Sequence, residues 1–142
     1  MRSSLLASLF ALSCLFTVGA ADAANLTVKV AGISKASGTL MVQLMDSEAA
    51  WNGKAKPVSG ARQAIVTTDP VELSFKDLPA GRYAIRLMHD ENDNGKLDSN
   101  LLGMPTEGYG YSNNPRVMRA AKFDEAAFEV GDADSAISIE LN

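Results

Sequence analysis

The chain has 142 residues, 46% of them hydrophobic, with a net charge of −4, one histidine and one cysteine. The acidic balance excludes the basic face that nucleic-acid binding needs. One cysteine leaves no intrachain disulfide, and one histidine excludes zinc centres built on two or three His ligands and transthyretin-like hydrolases that depend on several.

The first residues read as an export leader. Arg2 supplies a small positive start, Leu5 to Phe16 is an uncharged apolar run, and Ala21-Asp22-Ala23 offers small residues where a signal peptidase reads. Cleavage is expected after Ala23, with Ala20 the next best position. The run is too short for a membrane span, so the expected location is periplasmic or secreted. Cys14 lies inside the leader; Ala11 three residues before it argues against lipidation there. About 119 residues then remain, a length suited to one domain, 24–142.

From here the apolar pattern has period two. Leu26, Val28 and Val30 alternate with polar residues, as do Leu40, Val42 and Leu44. Val71, Leu73 and Phe75 form a third run, Tyr83, Ile85 and Leu87 a fourth, and Ile137, Ile139 and Leu141 a fifth. Ala61–Thr68 and Ala126–Val130 are weaker strand candidates. One-sided alternation marks antiparallel sheets with one wet face, and Ser37-Gly38, Pro79-Ala80-Gly81 and Gly131-Asp132 punctuate the runs as turns. The predicted fold is all-β: a single antiparallel Greek-key β-sandwich, transthyretin-like or immunoglobulin-like. Asp46–Ser59, which holds the only Trp, reads as a loop or short helical turn. Asn92–Lys122 reads as one long loop insertion, of a length that is usually functional or disordered.

That insertion follows the most informative motif, His89-Asp90-Glu91-Asn92-Asp93-Asn94-Gly95-Lys96-Leu97-Asp98. Oxygen-bearing side chains at Asp90, Asn92 and Asn94, a glycine at position six, a carbonyl at Lys96 and a further oxygen at Asp98 follow the order in which a loop wraps calcium (Ca2+). The twelfth position, normally a bidentate glutamate, is Leu101; Glu107 is the candidate replacement. Glu91 and Asp93 point away from an ion in that geometry. The competing reading is a bare polar turn. If bound, the ion is a structural clip with a dissociation constant of about 10⁻⁴ to 10⁻³ M. On this reading chelation lowers the melting temperature, and Asp90→Ala mimics chelation.

His89 is expected to hydrogen-bond the loop backbone. Met41, Met45, Met88, Met104 and Met118 raise a copper(I) reading, disfavoured because they form no cluster in sequence and Met also fills cores. The run Tyr109-Gly110-Tyr111-Ser112-Asn113-Asn114 combines flexible backbone with flat amphipathic rings. It is either a binding loop, through Tyr109, Tyr111, Asn113 and Asn114, or a segment whose rings pack on the sandwich while an Asn caps a turn.

Three blocks together resemble an exported bacterial family catalogued as domain of unknown function 2141. They are Phe75-x-Asp77-Leu78-Pro79-x-Gly81-x-Tyr83, the His89–Asp98 motif, and Gly103-x-Pro105-x-Glu107-Gly108-Tyr109-Gly110-x-Ser112-Asn113-Asn114, with Tyr111 where the family pattern has Phe. The resemblance implies no catalytic residue. The first block is also similar to carboxypeptidase regulatory-like and collagen-adhesin B-type β-sandwiches, which implies a fold and nothing more. The functional expectation is an exported non-enzymatic binding or accessory module with a calcium-ordered loop, contacting an envelope protein, peptide or glycan. The alternative is a periplasmic hydrolase with His89, Asp90 and Glu107 as an acid–base set.

Overall fold

The computed structural model describes residues 23–142; the expected leader, with Cys14, lies outside them but for its last residue. Eight strands form two sheets. The first has order β4 (Val71–Leu78), β1 (Ala24–Ala31), β8 (Ser135–Glu140). The second has order β3 (Ser59–Ala64), β2 (Thr39–Met45), β5 (Gly81–Asp90), β6 (Tyr109–Tyr111), with β7 (Ala127–Val130) also on β5. The molecule is thus all-β and sandwich-like.

Alternation does what it was expected to do at the centre. Leu26, Val28 and Val30 of β1 meet Leu40, Val42 and Leu44 of β2, Ile85 and Leu87 of β5 and Ile139 of β8 in one core, all but excluded from water. Each such side chain contributes about 1.5–3 kcal/mol on burial. One expectation fails: β1 and β8 run parallel, Val28 opposite Ile137 and Val30 opposite Ile139. A half-buried strand alternates identically in either direction, so periodicity carries no sign of strand polarity.

The one-wet-face expectation also fails at one end of the second sheet. Short helices α1 (Glu48–Trp51) and α2 (Phe123–Ala126) cover its outer face there, building a second cluster from Met45, Ala50, Trp51, Ala84, Phe123 and Ala126. Ser47 caps α1 through Ala50 N–H, and the Trp51 indole donates to Ala121 O at 2.9 Å. Asp46–Ser59 therefore holds the expected helical turn.

The Asn92–Lys122 insertion is not all loop, because β6 lies within it. One edge of the ten-residue β5 is shared: β7 pairs with Gly81–Ala84 and β6 with Arg86–Met88. Ser112 fills the junction. It donates its N–H to Ile85 O at 3.0 Å, accepts from Ile85 N–H on Oγ at 2.8 Å, and reaches Ala126 O through its hydroxyl. Among the described residues no helix is long and apolar enough to cross a membrane.

Candidate cation loop and the adjoining sheet face

Asp90 closes β5 opposite Thr39, the first residue of β2, and is fully buried. Gly38 makes this approach possible. It has φ +75°, and a Cβ there would lie 2.1 Å from Asp90 O. The Asp90 carboxylate accepts Asn94 N–H on Oδ1 at 3.0 Å and Gly95 N–H on Oδ2 at 2.7 Å. Glu107, 7% exposed, accepts Glu91 N–H on Oε1 and Asp98 N–H on Oε2, both at 2.9 Å. Two buried carboxylates thus hold four backbone N–H groups and pin the loop at both ends. Hydrogen bonds to a charged acceptor are the stronger kind, and they offset the cost of burying the charge.

The exposed half of the loop is organised differently. Asp98 accepts from Asn92 Nδ2 at 2.7 Å and from Asn94 Nδ2 at 2.9 and 3.0 Å. The amides of Asn94 and Asn92, aided by the Lys96 charge, hold its carboxyl below the usual range. The amide oxygens serve the backbone: Asn92 Oδ1 takes Asn94 N–H at 3.1 Å and Asn94 Oδ1 takes Lys96 N–H at 2.9 Å. Glu91 and Asp93 turn to the β1–β2 connection. Glu91 pairs with Lys35 at 2.5 Å and accepts from Ser34, and Asp93 accepts from Thr39 at 2.7 Å. Leu101 projects fully into solvent.

Among the described residues no three His, Cys, Asp or Glu side chains gather round one centre. A cation here must draw on amide and backbone oxygens, and the donor chemistry fits a hard ion. The Asn92 and Asn94 NH₂ groups occupy the positions by Asp98 where positive charge is favoured. Rotating both amides about their last bond exchanges NH₂ for oxygen, an arrangement that a cation between them and Asp98 would stabilise. Asn94 N–H keeps Asp90 as acceptor through that change, and the exposed Lys96 N–H turns to water. Glu107 reaches the loop as expected, but its oxygens hold backbone amides.

His89 lies on the inner face, fully buried. Its ring Nε2 is 2.7 Å from Ser37 O, so that nitrogen carries the proton; Nδ1 has no partner among the described residues. It does bond loop backbone, although in the β1–β2 connection.

The outer face of the second sheet was not anticipated. Cross-strand partners share a face, and the register sets two open rows side by side. The first row is Arg62, Met41, Met88, Tyr109; the second is Gly60, Gln43, Arg86, Tyr111. Tyr109 and Tyr111 stand edge to face at 5.9 Å, and Tyr111 leans on Trp51 at 5.8 Å. These rows floor a groove of about 710 Å³, walled by Gly95 and Leu97 of the loop. Asn113 and Asn114, at φ +63° and +46°, spend their side chains on backbone: Asn113 Nδ2 on Ala127 O at 2.6 Å, Asn114 on Ser138 O and Glu140 N–H at 3.0 and 2.8 Å. The signal available for the groove was two methionines at positions where alternation calls for polar residues.

A bacterial family described as "Uncharacterized protein conserved in bacteria (DUF2141)" matches residues 28–138. The chain belongs to that family. The match runs from the middle of β1 to the middle of β8, with the loop and the groove between. No curated protein matches the chain. Among solved structures it is similar to two structures of the pilus-presented adhesin Spy0125 (Cpa), both in the P212121 form, at 14% identity. The TM-scores are 0.33 and 0.32, over 87% and 85% of this chain. The chain spans 27% of the adhesin's length.

Proposed function

We propose that the protein is an exported, non-enzymatic binding module. Calcium orders the Asp90–Asp98 loop, and the open face of the five-stranded sheet beside it is the contact surface for an envelope protein, peptide or glycan. The carrying observation is that Gly95 and Leu97 of the loop wall a groove floored by Met41, Met88, Tyr109 and Tyr111. Fixing the loop therefore fixes the shape of the surface. Asn92, Asn94 and Asp98 would hold the ion through side chains and Lys96 through its carbonyl, while the buried Asp90 and Glu107 seat the loop. The groove's size lies within the range of ligand pockets, and its floor pairs adaptable Met with amphipathic Tyr.

The hydrolase alternative draws no support from the placement of its residues. His89 faces the core, and the carboxylates of Asp90 and Glu107 are buried against backbone amides. A substrate has no access to any of the three.

The test is thermal melting of residues 24–142 in calcium, in magnesium and in EDTA, for the parent and for Asp98→Asn. Calcium at ten times its dissociation constant stabilises by about 1.4 kcal/mol, a rise of about 6 °C for a domain of this size. Asp98→Asn keeps an oxygen for the two amides and removes the charge, so it abolishes the rise. Identical melting of the parent in calcium and EDTA sinks the calcium reading.

A further inference from the structure

The groove is electrostatically unlike the rest of the chain. The whole sequence carries −4, yet two arginines and no carboxylate line the groove. Arg86 is already committed. Its Nε donates to Gln43 Oε1 at 2.8 Å, Nη1 reaches Trp51 O at 3.3 Å, and the guanidinium lies 6.0 Å from the Trp51 ring centre. Arg62 is exposed and, among the described residues, makes no ion pair and no side-chain hydrogen bond. It stands at the head of an apolar row: Met41, then Met88, then Tyr109, with Leu97 above. Four adjacent strands set the row's length at three interstrand steps, about 14 Å.

From this arrangement we infer that the groove binds a small anionic amphiphile lying across the strands. The anionic head meets Arg62, the apolar body covers Met41 and Met88, and the far end rests on Tyr109. Both methionines are half-buried, so a ligand completes a desolvation that folding leaves unfinished. Unbranched thioether side chains adapt to a flexible apolar body. A planar guanidinium with five donors suits a carboxylate or a phosphate head alike. The inference rests on the reading of this face as the contact surface and names what it contacts.

Calorimetric titration of residues 24–142 in EDTA buffer tests it. The probes are decanoate, decyl phosphate, decyl maltoside and decyltrimethylammonium, each below its micelle concentration. Expected is saturable binding of one anionic probe per chain, at least about tenfold tighter than the maltoside, the scale of one charge-assisted hydrogen bond. The better of decanoate and decyl phosphate identifies the head group. Arg62→Glu lies on an exposed edge strand where it threatens no core, and it removes the preference for anions; Met88→Leu keeps it. Equal affinity for the maltoside overturns the anionic inference while leaving the face as a binding surface. Binding of no probe overturns the amphiphile inference and leaves the face as a surface for a protein, peptide or glycan. Anion binding that survives Arg62→Glu, or an acidic, leucine-rich extended peptide that outcompetes decanoate, also overturns the inference. Calcium is absent throughout, so a failure of the calcium melting test leaves these outcomes unchanged.

Discussion

The two halves of the Asp90–Glu107 segment use the same functional group for opposite ends. Asp90 and Glu107 are buried, and each spends its carboxylate on two backbone N–H groups. Asp98 lies at the surface, faced by the amide ends of Asn92 and Asn94. The first pair fixes where the loop starts and stops, whatever is in solution. The second group holds charge that a neighbouring amide only partly satisfies, and which a cation would satisfy better. Burial, rather than residue type or spacing, separates framework from site.

Substitutions that attack the framework should have the largest effects. Gly38→Ala forces a Cβ into Asp90 O at a backbone angle that L side chains avoid, and should destabilise by more than about 3 kcal/mol. Denaturant unfolding measures this, and a wild-type midpoint would show that β2 and β5 can part without cost. Glu107→Ala leaves two N–H groups without their acceptor and should cost about 3 kcal/mol. Asp90→Ala strands only the Gly95 N–H, since Asn94 N–H keeps Asn92 Oδ1 at 3.1 Å, and should cost about 1–2 kcal/mol. Both losses persist in EDTA, so Asp90→Ala no longer serves as a mimic of chelation. If either loss vanishes in EDTA, the division into framework and site is wrong. The surface half should answer the other way: Asp98→Asn should leave metal-free stability close to that of the parent and remove the response to calcium.

The same division explains what was legible in the sequence. The core strands were readable because each alternates against one dry face, a local property. So were the oxygens of the loop, whose spacing is local too. The parallel approach of β8 to β1 was not, since Ile137 and Ile139 alternate alike in either direction. Nor was β6: three residues, Tyr109 to Tyr111, become a strand only because β5 offers an unpaired edge beyond Ala84. The Met41–Met88 pair joins residues far apart in sequence, and a register shift of one between their strands would put the two side chains on opposite faces. Alternation across Ala84 and Met45 promised water where α1 and α2 supply a second cluster. Asn113 and Asn114 carried a turn signal, and tolerance of positive φ is what the structure uses.

Acid titration gives the smallest effect and the finest resolution between the two regions. Asp98 in the folded chain has a lowered pKa, chiefly from the Asn94 and Asn92 amides. A depressed carboxylate contributes stability that is complete above its unfolded pKa, near 3.9, and is lost as pH falls through the lower folded value. Glu125 supplies a reference away from the loop: Arg119, paired with it at 2.6 Å, and the Lys122 N–H bring it down to about 2. The gap between parent and Asp98→Asn should therefore be constant from pH 7 to about 5 and close below pH 4. The gap between parent and Glu125→Gln should begin to close below about 4.5 and persist in part down to about 2. Melting temperatures at half-unit steps would resolve the two windows. Added calcium should push the Asp98 window further toward acid and leave that of Glu125 in place, because a cation beside Asp98 opposes its protonation. Movement of both windows together would mean that calcium binds the chain diffusely, with no preference for the loop.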